Sequence, residues 1–200
     1  MSSRLSRLAL ATVLLSLAPC TQAQNQSEGY KFLEAVRGEK GNEIEEMLNK
    51  PGSVVINTRS VTDGETPLHV VTKAGNIDYL NYLLSRGANP NVRDNAGTAP
   101  LVLAADRGRE DLVKAFLKYK ANVNYGNSNG ETALIKAVRR RDLPLIRTLL
   151  EAGANPDQAD LLAGMSARDY AAQDTRAPAV AKELAATPVK PKAAVSGPKF

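Results

Sequence analysis

Three glycines, Gly64, Gly97 and Gly130, recur at intervals of 33 residues, and the sequence around them repeats in register. The repeated segments align without a gap and read DGETPLHVVTKAGNIDYLNYLLSRGANPN, NAGTAPLVLAADRGREDLVKAFLKYKANVN and SNGETALIKAVRRRDLPLIRTLLEAGANPD. Self-similarity at a fixed period of this length indicates a linear array of small supersecondary units. This period constrains the fold of the chain more than any other feature of its sequence.

Each unit has the pattern of two short helices separated by a tight turn. In the first segment Thr66 can cap free backbone N–H groups, and Pro67 suits the first position of a helix. A short helix is therefore predicted from about Pro67 to Lys73, and Gly75 is placed to end it in a left-handed conformation. Apolar residues at helical spacing over 77–84 predict a longer second helix.

The predicted core positions recur in the same register in all three segments. In the first helix they are Leu68, Leu101 and Leu134, and in the second helix they are Leu80, Val113 and Ile146, then Leu83, Phe116 and Leu149, then Leu84, Leu117 and Leu150. A small residue follows the second helix in each segment, at Ala88, Ala121 and Ala154. One pair of short helices cannot bury such a face alone, so the units are expected to stack.

The motif TPLH at Thr66–His69 and the turn GANPN at Gly87–Asn91 resemble those of the ankyrin repeat. The resemblance implies an all-α ankyrin-repeat solenoid of about five stacked helix-turn-helix units, joined by β-turn and extended loops. The later copies depart from the motif, because Arg141 and Lys120 stand where other copies have a turn glycine. A non-glycine residue in a left-handed turn costs about 1 kcal/mol.

Two flanking segments are interpreted as the ends of the stack. Residues 31–50 carry apolar residues at matching spacing, and residues 163–185 begin like a further repeat. In the second segment Arg168 stands in place of the core leucine, which is expected of a terminal unit that faces water. The predicted repeat domain is 30–185, with units at about 30–60, 61–94, 95–127, 128–160 and 161–185.

The N-terminus is predicted to be a signal peptide over residues 1–23, followed by a short linker at 24–29. Its first seven residues contain two arginines and no acid, and the apolar run that follows is too short for a membrane span. Cleavage is expected between Ala23 and Gln24, with export to the periplasm of a Gram-negative cell. An alternative is a lipid-anchored envelope protein, because Cys20 lies in the outline of a lipoprotein box.

The C-terminal residues 186–200 are rich in proline, alanine and lysine and are predicted to be a disordered tail. The formal net charge of +5 comes from two arginines of the signal segment and three lysines of the tail, so the rest of the chain has a net charge of zero. Aromatic residues are 4% of the chain, with no tryptophan. A nucleic-acid partner is therefore not expected.

No pattern of catalytic or metal-ligating residues is recognised. His69 is the only histidine, and the resemblance assigns it a structural role within the motif Thr66, Pro67, Leu68 and His69. The glycine-rich stretch Gly38–Gly41 lacks the spacing of a phosphate-binding loop and is interpreted as a turn between two helices. We therefore expect no cofactor, no metal and no catalysis, and an enzyme with a site at His69 is the alternative.

Partners of ankyrin proteins bind the concave surface made by the β-turn tips and the first helices, and the resemblance implies such a surface here. The candidate residues at the ends of the first helices are Arg37, Lys73, Asp106, Arg107, Arg139 and Arg140, and those at the turn tips are Glu65, Asn95, Thr98, Asn129 and Glu131. Two interpretations stay open: a docking face for a protein with an acidic ridge, or ordinary solvated helix ends where cations favour the helix dipole. The expected partner is another protein, and the chain is expected to be a monomer with no membrane span. Charge reversal at the three arginines 107, 139 and 140 is expected to weaken partner binding without unfolding the chain.

Overall fold

The computed structural model describes residues 18–188, with side chains described from Glu28. Across these residues it contains ten α-helices and no β-strand, so the predicted all-α solenoid is confirmed. The helices are α1 Ala18–Arg37, α2 Gly41–Asn49, α3 Pro67–Ala74, α4 Ile77–Ser85, α5 Pro100–Asp106, α6 Glu110–Lys118, α7 Ala133–Arg140, α8 Leu143–Glu151, α9 Ala167–Gln173 and α10 Pro178–Ala186. A single 3₁₀ turn, Val55–Asn57, follows α2.

The two chain ends extend beyond the described residues. Residues 1–17 and 189–200, which hold most of the predicted signal peptide and of the predicted tail, lie outside the described part of the chain. The predicted linker 24–29 and the proposed cleavage site between Ala23 and Gln24 lie within α1. Helix α10 ends at Ala186, one residue past the predicted boundary of the repeat domain.

The helix boundaries follow from local sequence. Helix α3 begins at Pro67, and Gly75 ends it with a φ of 74°, as predicted. The side chains of Thr132 and Ser166 cap α7 and α9 by accepting backbone N–H groups three residues further along the chain. Each cap satisfies one donor that the first turn of a helix leaves free.

Three residues other than glycine occupy the left-handed region. They are Glu39, Lys120 and Arg141, with φ of 52°, 61° and 60°. Lys120 and Arg141 are the two positions at which other copies of the repeat have a turn glycine, so their left-handed conformation is expected from the alignment. Glu39 lies in the Gly38–Gly41 turn, which joins α1 to α2 as predicted.

The helices form two layers. In the first-helix layer α1, α3, α5, α7 and α9 contact one another in chain order, and in the second-helix layer α4, α6, α8 and α10 do the same. The core lies between these layers. Almost all the predicted core side chains are buried, but Leu117 and Leu150 are only partly so.

Four turns precede the helices of the first-helix layer from α3 onward, and we call them the tips: residues 61–64, 94–97, 127–130 and 160–164. Successive tips are joined by backbone hydrogen bonds, from Asn95 N to Asp63 O (2.9 Å), from Ser128 N to Ala96 O (3.1 Å) and from Leu161 N to Asn129 O (2.8 Å). These bonds satisfy backbone donors that have no partner within their own unit. They also set the distance from one unit to the next along this edge.

The bonds between the tips form one ladder, and asparagine side chains form a second ladder of hydrogen bonds between units. This second ladder lies at the turns that follow the second helix of each unit. The side-chain oxygens of Asn57, Asn91 and Asn124 accept the backbone N–H groups of Asn89, Asn122 and Asn155 at 2.7–2.8 Å. Each bond links one unit to the next. The asparagine that ends the GANPN motif is therefore a connector between units as well as a turn residue.

Arg168 does not face water, so that prediction is wrong. Its side chain is only 19% exposed and donates to Asp157 Oδ1 at 2.7 Å. It also donates to the carbonyl oxygens of Leu184 and Thr187, which lie at the C-terminal end of α10. The last carbonyls of a helix need donors from outside it. Because α10 packs against α9, the arginine that replaces a core leucine reaches those carbonyls.

Candidate functional site

His69 is fully buried and hydrogen-bonded through both ring nitrogens. Its Nδ1 lies 3.1 Å from Thr66 N and 2.8 Å from Thr66 Oγ1, and its Nε2 lies 2.9 Å from the carbonyl oxygen of Thr98. Because the Thr66 N–H donates to Nδ1, the ring is neutral and its proton is on Nε2, which donates to Thr98. Burial lowers the pKa of His69, which favours the same neutral form. The ring thus joins α3 to the next unit, at the residue that follows its tip.

The eleven candidate partner-binding residues fall into three groups in the structure. The exposed ones at the ends of the first helices are Arg37, Lys73, Asp106, Arg107, Arg139 and Arg140. The exposed ones at the tips are Asn95 and Asn129, and Thr98 is half-buried. Glu65 and Glu131 are buried.

The two glutamates are expected among the residues that a partner contacts, but both are buried and not available to one. Their side chains are 8% and 9% exposed, and each turns back toward the helix of its own unit. Glu65 pairs with Lys73, and Glu131 accepts from Arg139 at 2.6 Å. The sequence places each acid directly after a tip but does not show that a cation eight residues later covers it.

Glu131 is the more strongly held of the two. Burial alone would raise the pKa of its carboxyl, but hydrogen bonds from Lys136 and Asn127 and the charge of Arg139 outweigh burial and lower that pKa. Lys136 lies 2.8 Å from one carboxylate oxygen and Asn127 donates at 2.9 Å. The carboxylate therefore stays ionised and neutralises part of the charge of Lys136 and Arg139.

Two of the exposed arginines reach back to the preceding unit. Arg107 donates to the carbonyl oxygen of Lys73 at 3.1 Å, and Arg140 donates to that of Asp106 at 3.0 Å. These carbonyls belong to the last turns of α3 and α5, where the negative end of the helix dipole attracts a cation. The arginines thus contribute to stacking and still present a charged surface to solvent.

A hollow of about 360 Å³ lies beside the ends of α7 and α9. It is lined by Arg139, Arg141 and Arg176, by the ring of Tyr170 and by one carboxylate, Asp174. Asp174 accepts from Arg141 at 2.5 Å and from Arg176 at 3.3 Å. Hydrogen bonds from Arg141 and from the Arg176 backbone lower the pKa of Asp174 to about 2. Sequence reasoning recognised Arg141 only as a turn residue and missed Arg176.

The large apolar side chains that are exposed in the described part of the chain lie at the two ends of the array. Among the described residues, Tyr30, Val54 and Val61 are the large ones at the N-terminal end, and they line a groove of about 930 Å³. At the other end Leu161 and Leu162 project from the last tip. Sequence reasoning missed both groups, although two adjacent leucines in a turn were visible in the sequence.

Tyr125, which the sequence suggests as a contact residue by type alone, is half-buried and lies under the guanidinium of Arg93 at 4.4 Å. Within the described residues, no three histidine, cysteine or carboxylate side chains are grouped so that they could hold a metal ion. No helix in residues 18–188 combines the length and the apolar character that a membrane span requires.

Comparison with protein-family models gives two matches. A model for a single ankyrin repeat matches residues 63–95, and a model for ankyrin repeats in three copies matches residues 88–160. Together they cover α3 to α8. The helix pairs α1–α2 and α9–α10 lie outside the matched residues, so the number of about five repeats stays a prediction. Ankyrin repeats mediate binding to other proteins and are generally non-catalytic scaffolds. The chain is therefore an ankyrin-repeat protein, and its repeats form a protein–protein interaction module.

Proposed function

We propose that the chain is a non-catalytic binder of another protein, a scaffold or an inhibitor, that acts in the bacterial periplasm. One observation carries this proposal: a row of exposed cations follows the ends of the first helices of successive stacked units. The row contains Arg37, Lys73, Arg107, Arg139 and Arg140. Because the units are fixed to one another by two ladders of hydrogen bonds, the row is ordered before a partner arrives.

The only histidine has a structural role that leaves it unavailable as a catalytic base. Both of its ring nitrogens are in hydrogen bonds, Nδ1 within its own unit and Nε2 to the next unit, and the ring is fully buried. A general base must reach the proton that it abstracts from a substrate. This geometry favours the binding function over the alternative of an enzyme with a site at His69.

Binding by the cationic row can be tested in living cells with a photo-crosslinking amino acid. We expect crosslinks to a partner protein from position 95, at an exposed tip, and far fewer from position 81, which is also exposed but lies on α4 in the second-helix layer. The triple variant Arg107→Gln, Arg139→Gln and Arg140→Gln is expected to weaken the crosslinks about tenfold. Glutamine is preferable to charge reversal, because an acid at position 139 would face the buried Glu131.

The control for this triple variant is its thermal unfolding midpoint, which separates a loss of binding from a loss of folding. Equal crosslinking from positions 81 and 95 would contradict a binding face on the first-helix layer. Full crosslinking by a folded triple variant would contradict the role of the arginines.

The periplasmic location rests on the sequence of the N-terminus and is tested by the mass of the exported protein. Cleavage after Ala23 gives a mature chain that begins at Gln24. Because Cys20 is removed with the signal peptide, we expect Cys20→Ser to leave the mass of this mature chain unchanged and to alter only the mass of the uncleaved precursor. Ala23→Arg is expected to block the cleavage, because the signal-peptide site needs a small residue there. A mature chain that begins at a lipid-modified Cys20, with processing lost in Cys20→Ser, would instead establish the lipid-anchored alternative.

A further inference from the structure

The last tip differs from the two before it in length and in chemistry. Three residues separate the first residue of this tip, Asp160, from its glycine, Gly164. In the tips 94–97 and 127–130 only two residues separate the first residue from the glycine. Its outermost residues, Leu161 and Leu162, are 77% and 74% exposed. The residues at the same place in the earlier tips are Asn95, Ala96, Ser128 and Asn129. The added residue therefore coincides with a change from a mainly polar tip to an apolar one.

The backbone of this tip is held in place although its leucines face solvent. Asp160 is 4% exposed, and its Oδ1 accepts the backbone N–H groups of Ala163 at 2.7 Å and Gly164 at 3.1 Å. Its Oδ2 accepts the hydroxyl of Tyr170 at 2.5 Å. A tip ordered in this way loses little conformational entropy when a partner covers it.

The tip also rests directly on the one before it. The N–H of Leu161 donates to the carbonyl of Asn129, and a methyl group added to Gly130 would lie 3.0 Å from the Leu161 nitrogen. Gly130 has a φ of +76°, so the contact and the backbone conformation both favour glycine. The leucine pair is therefore a fixed extension of the row of tips.

Tyr170 connects this apolar tip to the arginine-lined hollow. Its hydroxyl bonds to Asp160 at the base of the tip, and its ring lies 5.9 Å from the guanidinium carbon of Arg139. The hollow has three arginines for one lining carboxylate, Asp174, which two of them share. The third, Arg139, pairs with a glutamate that Lys136 also contacts. Exposed leucines and an excess of guanidinium groups thus lie on either side of one tyrosine.

We infer that this end of the first-helix layer docks an extended acidic segment of a partner protein that carries an apolar side chain next to its acids. The inference rests on the proposed protein-binding function and specifies the partner's chemistry. The apolar side chain covers Leu161 and Leu162, and the carboxylates bind the arginines of the hollow, whose planar guanidinium groups suit paired hydrogen bonds. Tyrosine and arginine are also the residue types that most often dominate binding interfaces.

The charge of the hollow disfavours the chain's own C-terminal segment as its occupant. Residues 189–200 contain three lysines and no acid, so their charge has the same sign as that of the arginines. A second copy of the chain is the other available occupant, and sedimentation of the purified protein detects it.

The probe is a phage-displayed library of random 12-residue peptides, selected on the full chain. We expect enriched peptides to carry at least two acidic residues beside a large apolar one, and their binding to weaken as salt is raised. A synthetic copy of an enriched peptide is expected to bind the Leu161→Ser, Leu162→Ser variant about tenfold or more weakly. The matched control is Val54→Ser, Val61→Ser, which removes two equally exposed apolar side chains at the opposite end and is expected to change affinity less than about twofold.

Arg141→Gln, Arg176→Gln is a second test of the same site and is expected to weaken the acidic peptide without affecting a peptide whose acids are amidated. Enriched peptides that are basic, or that depend on the valine pair, would overturn the docking site while leaving protein binding as the function. Failure to enrich any peptide would overturn the docking site, and crosslinking from the tip at position 95 then decides independently on protein binding. A dimer that dissociates in the leucine variant would assign the surface to a second copy and overturn the acidic segment.

Discussion

Replacing Phe116 with alanine is expected to lower the free energy of unfolding by about 3–5 kcal/mol, the range found when large aromatic side chains are removed from a core. Phe116 is fully buried on α6, in the middle of the second-helix layer. Helix α6 packs against α5 of its own unit and against α4 and α8 of its neighbours. A cavity here therefore weakens contacts within one unit and at both of its interfaces. Urea unfolding followed by circular dichroism measures the loss.

The matched control for Phe116→Ala is Leu162→Ala, which removes an exposed side chain from the last tip. It is expected to change the free energy of unfolding by no more than about 0.5 kcal/mol. The urea dependence of the free energy is informative as well, because a stack that unfolds in parts has a smaller slope than one that unfolds as a unit. Equal effects of the two substitutions would contradict the packing described for α6.

Replacing His69 with alanine is expected to cost about 2–4 kcal/mol, because two groups then lose their partner, one buried and one part-buried. An unsatisfied buried group costs about 1–3 kcal/mol, and the part-buried one lies at the low end of that range, about 1 kcal/mol. The groups are the N–H of Thr66 and the carbonyl of Thr98. The loss falls on the joint between α3 and the next unit. The corresponding positions in the next two units, Val102 and Ile135, are apolar and buried, so these side chains pack where His69 makes hydrogen bonds.

The same histidine is expected to make stability depend on pH in a defined direction. Burial lowers the pKa of His69 below its usual value of 6.5, so the unfolded chain binds a proton more readily than the folded one. The contribution of His69 to the free energy of unfolding is therefore fully present above pH 6.5. It falls as the pH is lowered toward the pKa of His69 in the folded chain, because a proton on Nδ1 would oppose the Thr66 N–H. Urea unfolding at about pH 7.5 and about pH 5 measures this loss. The alanine variant should lack it, and an equal loss in the variant would assign the pH dependence to other groups.

The fold could be predicted from sequence because the 33-residue period tests every assignment three times. One glycine or one leucine is weak evidence, but residues of the same type at the same place in each copy leave few arrangements open. The left-handed conformations of Lys120 and Arg141 are the clearest case, because an isolated lysine or arginine gives no sign of a positive φ. Alignment with the glycines of other copies provides that sign.

The candidate site was less predictable, because its properties depend on contacts that the period does not encode. Whether Glu65 faces solvent depends on Lys73 reaching back over it, and whether Arg168 faces water depends on the position of α10. Neither contact has a counterpart in every copy. The exposure of Leu161 and Leu162 was not predicted either. The extra residue in their tip takes them out of the register that the other copies share, so alignment with those copies gives no information about them.

The chain of contacts along the first-helix layer also determines how the molecule deforms. The principal contacts join each helix of that layer only to the next one. Small rotations between neighbouring units therefore add up along the array. The separation between the first and last tips therefore varies more than the separation between any two neighbouring tips. A partner that bridges the whole row has to fix its curvature, whereas a partner held by the last two units meets a surface that is already stiff.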